Sequence, residues 1–103
     1  MNNFKLTTPV AFFIYNRPEA SEKVFRQIRN ARPKKLLIIA DGPCSNHLGD
    51  EKKCATTRAI VKHIDWDCEV IKNYSDTNLG CKLRVSTGLS WVFNMVEEAI
   101  ILE

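Results

Sequence analysis

Lys35-Leu36-Leu37-Ile38-Ile39-Ala40-Asp41-Gly42-Pro43 reads KLLIIADGP, and this stretch decides the fold. Leu36 to Ala40 is unbroken by any polar residue. A half-exposed strand would alternate, and an independent helix would need more length. The run therefore reads as a strand buried on both faces, the kind found in parallel sheets covered by helices. Gly42-Pro43 stops it sharply. Asp41 is left at the carboxyl end of a rigid, buried element.

The same signature lies upstream in Pro9-Val10-Ala11-Phe12-Phe13-Ile14-Tyr15, which predicts a second fully buried strand. Asn16-Arg17-Pro18 breaks it, and proline suits the first turn of a helix. From Glu19 to Arg29 the spacing puts Ala20, Val24, Phe25 and Ile28 on one side. Asn30-Ala31-Arg32-Pro33 ends that helix, because the residue before proline disfavours helical geometry.

Downstream of KLLIIADGP, a loop from Cys44 to Gly49 leads to Asp50, a plausible helix cap. The helix that follows runs to about His63, with Ala55, Ala59, Ile60 and Ile64 directed at the core. Cys68-Glu69-Val70-Ile71-Lys72-Asn73-Tyr74 mixes polar and apolar residues, which suits a strand at a sheet edge. Ser75 to Gly80 is a loop by composition. Val85, Leu89, Val92 and Val96 then form a helical stripe. Gly88 within it costs about 1 kcal/mol of helix propensity, and it permits a close approach to a sheet. Ala99 to Leu102 begins a fourth strand. Trp66, Trp91 and Phe93 read as packing anchors.

Strands and helices alternate throughout, so residues 1–103 read as a single α/β domain. The expected architecture is a three-layer, Rossmann-like α/β/α arrangement around a mostly parallel sheet. The two most apolar strands belong at its centre, giving spatial order 3-2-1-4.

Composition narrows the function classes. Hydrophobic residues make up 45% and charged residues 26%, ordinary values for a globular protein. The net charge of +3 is scattered over the chain, which argues against nucleic acid as a partner. No apolar run reaches the length of a transmembrane segment. Met1 to Lys5 lacks the pattern of a signal peptide. The four cysteines, Cys44, Cys54, Cys68 and Cys81, form no Cys-x-x-Cys pair, and His47 and His63 lack zinc-finger spacing. A reduced, cytoplasmic chain with free thiols is expected.

In an open parallel sheet, ligands bind beyond the carboxyl ends of the strands, where strand order reverses. Three turns qualify: Tyr15-Asn16-Arg17, Asp41-Gly42-Pro43 and Asp76-Thr77-Asn78-Leu79-Gly80. Asp41 can accept an N–H from a base or an O–H from a ribose, or it can serve only its own turn. Asn16 can bind a ligand or cap the following helix. Arg17 can bind or stay solvated. Arg84, near the start of the last helix, can reach a base or a phosphate, and a helix N-terminus there favours anions. No Gly-x-Gly-x-x-Gly, Walker A or Gly-x-Ser-x-Gly motif is present, which disfavours dehydrogenases, P-loop enzymes and α/β-hydrolases. Neither Asp65 with Asp67 nor His47 with Asp50 makes a metal constellation.

PVAFFIYNRPE, LLIIADGP, YSDTNLGCKLRV and WVFNMVEEAIILE, in this order and spacing, resemble the N-terminal part of a GT-A-fold glycosyltransferase. The likeness is to the family 2-like nucleotide-diphospho-sugar transferases, and it covers almost the whole chain. It implies a nucleotide-sugar donor, a UDP-sugar above all, and an unknown acceptor. By position, Asp41 matches the acid that accepts the nucleobase N–H, and Arg84 the basic residue over the base. Tyr15, Asn16 and Arg17 match the turn that lines the nucleotide pocket, with Gly42, Asp76 and Gly80 in the loops that shape it. Phe13 stands where some relatives carry a small hydroxyl residue, and Asp-Gly-Pro replaces Asp-x-Ser.

The resemblance further implies Mn²⁺ or Mg²⁺ held by an acid pair beyond Glu103, which looks like the residue before that pair. No residue of this chain is assigned as catalytic or as a metal ligand. The chain is expected to be a C-terminally truncated portion, inactive alone. The alternative is a free-standing α/β module that binds a nucleotide or a protein. Ile100 to Leu102, as an open sheet edge, would favour a homo-oligomer.

Overall fold

The computed structural model describes residues 6–103. The reading of Met1 to Lys5 lies outside them. The elements alternate as the sequence predicts: β1 (Val10–Ile14), α1 (Pro18–Ala31), β2 (Lys35–Ala40), α2 (Asp50–Ile60), β3 (Glu69–Tyr74), α3 (Cys81–Met95) and β4 (Ile100–Leu102). A 3₁₀ turn, Val61–His63, continues α2.

The four strands form one parallel sheet in the order β3-β2-β1-β4. β1 and, after Lys35, β2 are central and buried along their length, because neither face of Val10–Ile14 or Leu36–Ala40 carries a side chain that needs water. Val10, Phe12, Ile14, Leu36, Ile38 and Ala40 make one face, packed against Phe25 and Ile28 of α1 and Val61 after α2. Ala11, Phe13, Leu37 and Ile39 make the other, covered by Val85, Leu89 and Val92 of α3. The molecule is therefore a three-layer α/β/α sandwich. The chain changes faces after β3 and places β4 beside β1 on the far side.

α3 approaches the sheet closely at Gly88. A β-carbon there would lie 2.5 Å from Phe13 Cε2 and 3.0 Å from Ile39 Cγ2. Hydrogen in place of a side chain lets two aromatic-sized layers meet without a gap.

Three expectations need correction. The buried residues of α2 are Asp50, Cys54 and Thr57, followed by Val61 in the 3₁₀ turn; Ile60 and Ile64 pack on the core as expected, while Ala55 and Ala59 face solvent. Thr57 tolerates burial because its hydroxyl donates to the Lys53 carbonyl at 2.7 Å. In α1, Ser21 is buried and Ala20 is exposed. Trp66 is an anchor, 6.0 Å from Phe25 between ring centroids and donating its Nε1 to the Pro33 carbonyl. Trp91 packs on the α3 side of the core. Phe93, in contrast, is half exposed.

Both sheet edges are open among the described residues. β3 is partly exposed, as its mixed composition predicts, and carries Glu69 and Lys72. β4 pairs with β1 over three residues and leaves Ile100 and Ile101 exposed. No helix among the described residues is long and apolar enough to cross a membrane.

Candidate functional site

The carboxyl ends of β1 and β4 meet at the place where strand order reverses. A cavity of about 460 Å³ opens there. Its floor is apolar, from Phe13, Ile14, Ile39 and Val85. Tyr15, Asn16, Arg17, Asp41 and Arg84 supply its polar groups, so five of the residues singled out from sequence come together. Glu103 closes the β4 side, and Ala20, Ser21 and Cys81 complete the lining. Gly42, Asp76 and Gly80 do not line it.

Asp41 is buried at the end of β2, 4% exposed. Its Oδ1 accepts the N–H groups of Gly42 and Leu79, each at 2.9 Å. Its Oδ2 accepts the Gly80 N–H at 3.1 Å and the Asn78 side-chain amide at 3.3 Å. A carboxylate has about four lone-pair positions, and four donors from this chain occupy them. The side chain holds the loop between β3 and α3 against the end of β2. Gly42 lies under the same loop: a β-carbon there would sit 2.6 Å from the Thr77 backbone. Gly80 adopts φ 87° and ψ 154°, a conformation that suits glycine, and begins α3. Asp76 is exposed on the loop's outer side.

Arg84 is equally fixed, at 7% exposure. Its Nε donates to the Ala40 carbonyl at 3.1 Å, and its Nη2 donates to the Asn73 carbonyl and to Asn73 Oδ1 at 3.0 Å. These bonds tie α3 to the ends of β2 and β3. Burial lowers the guanidinium pKa, and nearby Asp41 opposes that shift. Among the described residues no acceptor bonds Nη1, and the residue lines the cavity.

The turn after β1 is organised by Asp50. This residue is the first of α2 and is 3% exposed, with Gly49 as the cap residue. Asp50 is thus not the cap that sequence suggests. Its Oδ2 accepts the Tyr15 hydroxyl at 2.6 Å and the Cys44 N–H at 2.7 Å, and its Oδ1 accepts the Asn16 amide at 2.7 Å. The hydrogen bonds, that from Tyr15 foremost, hold the carboxyl pKa down at about 2. Burial, and then the bond to Asp50, push the Tyr15 phenol pKa well up. Asn16 is spent on Asp50, so it does not cap α1. Arg17 is exposed at the rim.

Sequence reasoning missed Asp50 and Asn78 as organisers and Ser21 as a lining residue. The small residues Ala20-Ser21 beside Asn16-Arg17-Pro18 were the available signal for Ser21. Of the Asp65 and Asp67 pair weighed as metal ligands, Asp65 is ion-paired with Arg29. Among the described residues no group of three or more histidine, cysteine, aspartate or glutamate side chains could hold a metal ion. The four cysteines are unpaired. No protein-family model matches the chain, and no curated protein or solved structure matches it either.

Proposed function

We propose that this chain is the nucleotide-diphospho-sugar-binding portion of a glycosyltransferase. One observation carries the reading. Tyr15, Asn16, Arg17 and Arg84 line a single cavity between the carboxyl ends of β1 and β4, the place where open parallel sheets take nucleotides. The apolar floor suits the face of a base, and Arg17 with Arg84 Nη1 supplies donors for its polar edge or for phosphate. With its acceptor positions filled, Asp41 acts by shaping the wall. Base discrimination then falls to the arginines and to backbone groups.

Mn²⁺ or Mg²⁺ would belong to the complete transferase. The described residues do not provide a ligand set for it, so no step is assigned to it here. Four unpaired thiols fit a cytoplasmic setting. Titration calorimetry with UDP, with and without Mn²⁺, tests the proposal. Binding that Arg17→Ala and Arg84→Lys weaken supports it. Binding indifferent to both variants places the ligand elsewhere.

The second reading is a nucleotide- or protein-binding module without transfer activity. The Asp41 carboxylate in the cavity wall, its acceptor positions filled by this chain's own donors, favours it, because that group shapes a binding site and does no proton transfer. Incubation with UDP-sugars and release of free UDP would decide between the two.

A further inference from the structure

Helix α1 starts without a capping side chain. Arg17 holds the cap position, and among the described residues no side chain accepts a hydrogen bond from the first turn. Asn16, the residue best suited to do so, donates to Asp50 instead. Pro18 has no N–H, and the Ser21 N–H is taken by the Arg17 carbonyl at 3.0 Å. The N–H groups of Glu19 and Ala20 therefore lack intrahelical acceptors. The aligned peptide units of this 14-residue helix place partial positive charge at the same point.

An independent observation lies one residue further on. Ser21 is only 7% exposed, and it lines the cavity together with Ala20. Its hydroxyl makes no hydrogen bond to another described residue. The hydroxyl is not among the fully buried unpartnered atoms, so what exposure this residue keeps lies at the cavity wall, where a ligand can engage it. Arg17 stands at the rim of the same turn, and Arg84 lines the same cavity. Glu103 is the exposed carboxylate among the lining residues, on the β4 side.

We infer that the first turn of α1 is the anion subsite of the cavity, taking the phosphate of the ligand through the Ser21 hydroxyl and the free N–H groups of Glu19 and Ala20. This rests on the nucleotide reading above and names the part of the ligand that the turn holds. Uncapped helix N-termini bind phosphate by the same combination of N–H donors and dipole. Here the donor set is completed by the hydroxyl of Ser21 and by an arginine.

The test uses three probes on the wild-type chain and on Ser21→Ala: UDP, uridine and inorganic pyrophosphate, each by calorimetry. Alanine is a better helix former than serine, so the variant folds. Loss of one hydroxyl contact is expected to weaken UDP and pyrophosphate about threefold to tenfold. Uridine, which has no phosphate, is expected to be unaffected. Ser21→Asp, which puts a carboxylate where the anion sits, should abolish pyrophosphate binding. Equal UDP affinity in wild type and Ser21→Ala overturns the subsite and leaves the nucleotide cavity standing. Pyrophosphate binding that Ser21→Ala weakens, with UDP no tighter than pyrophosphate, keeps the subsite and overturns the nucleotide reading. No binding of any probe overturns both.

Discussion

The Asp41 carboxylate accepts the backbone N–H of Gly80 at 3.1 Å, across 39 residues of sequence. With the bonds to Leu79 and Asn78, this clamps the start of α3 to the end of β2. Arg84 lies one turn into α3 and donates back to Ala40, the residue before Asp41. The cavity wall is therefore assembled by a carboxylate that holds the start of α3 and a guanidinium that holds the ends of β2 and β3. Asp41→Ala removes the acceptor for three buried or half-buried N–H donors and an amide, and is expected to cost about 2–4 kcal/mol. Asp41→Asn, which turns a donor toward donors, is expected to cost somewhat less. Chemical denaturation of both variants checks this. Retention of wild-type stability in Asp41→Ala would show that the loop does not depend on the clamp.

Tyr15 and Asp50 make a pH prediction. The folded Asp50 carboxyl titrates at about 2, below the ordinary carboxylate value. A lowered folded pKa means stability that is present above the unfolded value and lost as pH falls through the folded one. Asp50 therefore supports the fold at neutral pH and ceases to do so between about 4 and 2. Tyr15→Phe removes the largest cause of the shift. The Asp50 midpoint, followed by NMR, is expected to rise, and acid unfolding to begin at higher pH. An unchanged midpoint would contradict the bond.

Much of this could be read from the chain before folding. Buried parallel strands lack alternation, so β1 and β2 were legible as central, and β3 as an edge from Glu69 and Lys72. Order 3-2-1-4 followed from that ranking. The packed face of α2 was legible only in part: Ile60 and Ile64 do pack on the core, but Ala55 and Ala59 do not. Alanine carries little information about facing, and Thr57 hides its hydroxyl in a bond to Lys53. The cavity residues Tyr15, Arg17 and Arg84 were legible because strand ends are fixed by the fold. The jobs of Asp41 and Asp50 were not, because each depends on partners more than 30 residues away that only tertiary structure brings near.

Gly88 separates helix propensity from packing. Alanine would favour an isolated helix by about 1 kcal/mol. Its β-carbon would meet Phe13 at 2.5 Å, in a layer with little room to yield. Gly88→Ala is expected to destabilise the chain by about 1–3 kcal/mol. Phe13→Leu should recover part of that loss, so the double variant is more stable than the sum of the singles predicts. Additive effects would mean that the ring does not set the limit.

Tyr74 offers a change in the opposite direction. Its hydroxyl is buried without a partner among the described residues, while Arg58 stacks on its ring 4.7 Å from the centroid. Burial raises the phenol pKa. Tyr74→Phe keeps the ring and removes an unsatisfied group. Thermal unfolding is expected to show no loss, or a gain of up to about 1 kcal/mol. A loss above that range would reveal a partner for the hydroxyl, such as a fixed water.

The β4 edge makes the last prediction. Ile100 and Ile101 are 38% and 41% exposed, on opposite faces of the sheet, and the outer backbone groups of this strand have no partner among the described residues. The β3 edge carries Glu69 and Lys72, charges of the kind that discourage edge pairing. β4 has no charge within Ile100–Leu102, no proline and no bulge. Pairing between copies should therefore occur through β4. Light scattering across a concentration series is expected to show association of this chain. Ile101→Lys should suppress it, because two such edges cannot then meet without opposing like charges, and the exposed position means little core packing is lost. The control is a charge reversal on β3, Lys72→Glu, which should leave association unchanged. A chain that stays monomeric at high concentration, or one whose association follows Lys72 and ignores Ile101, would rule out this edge.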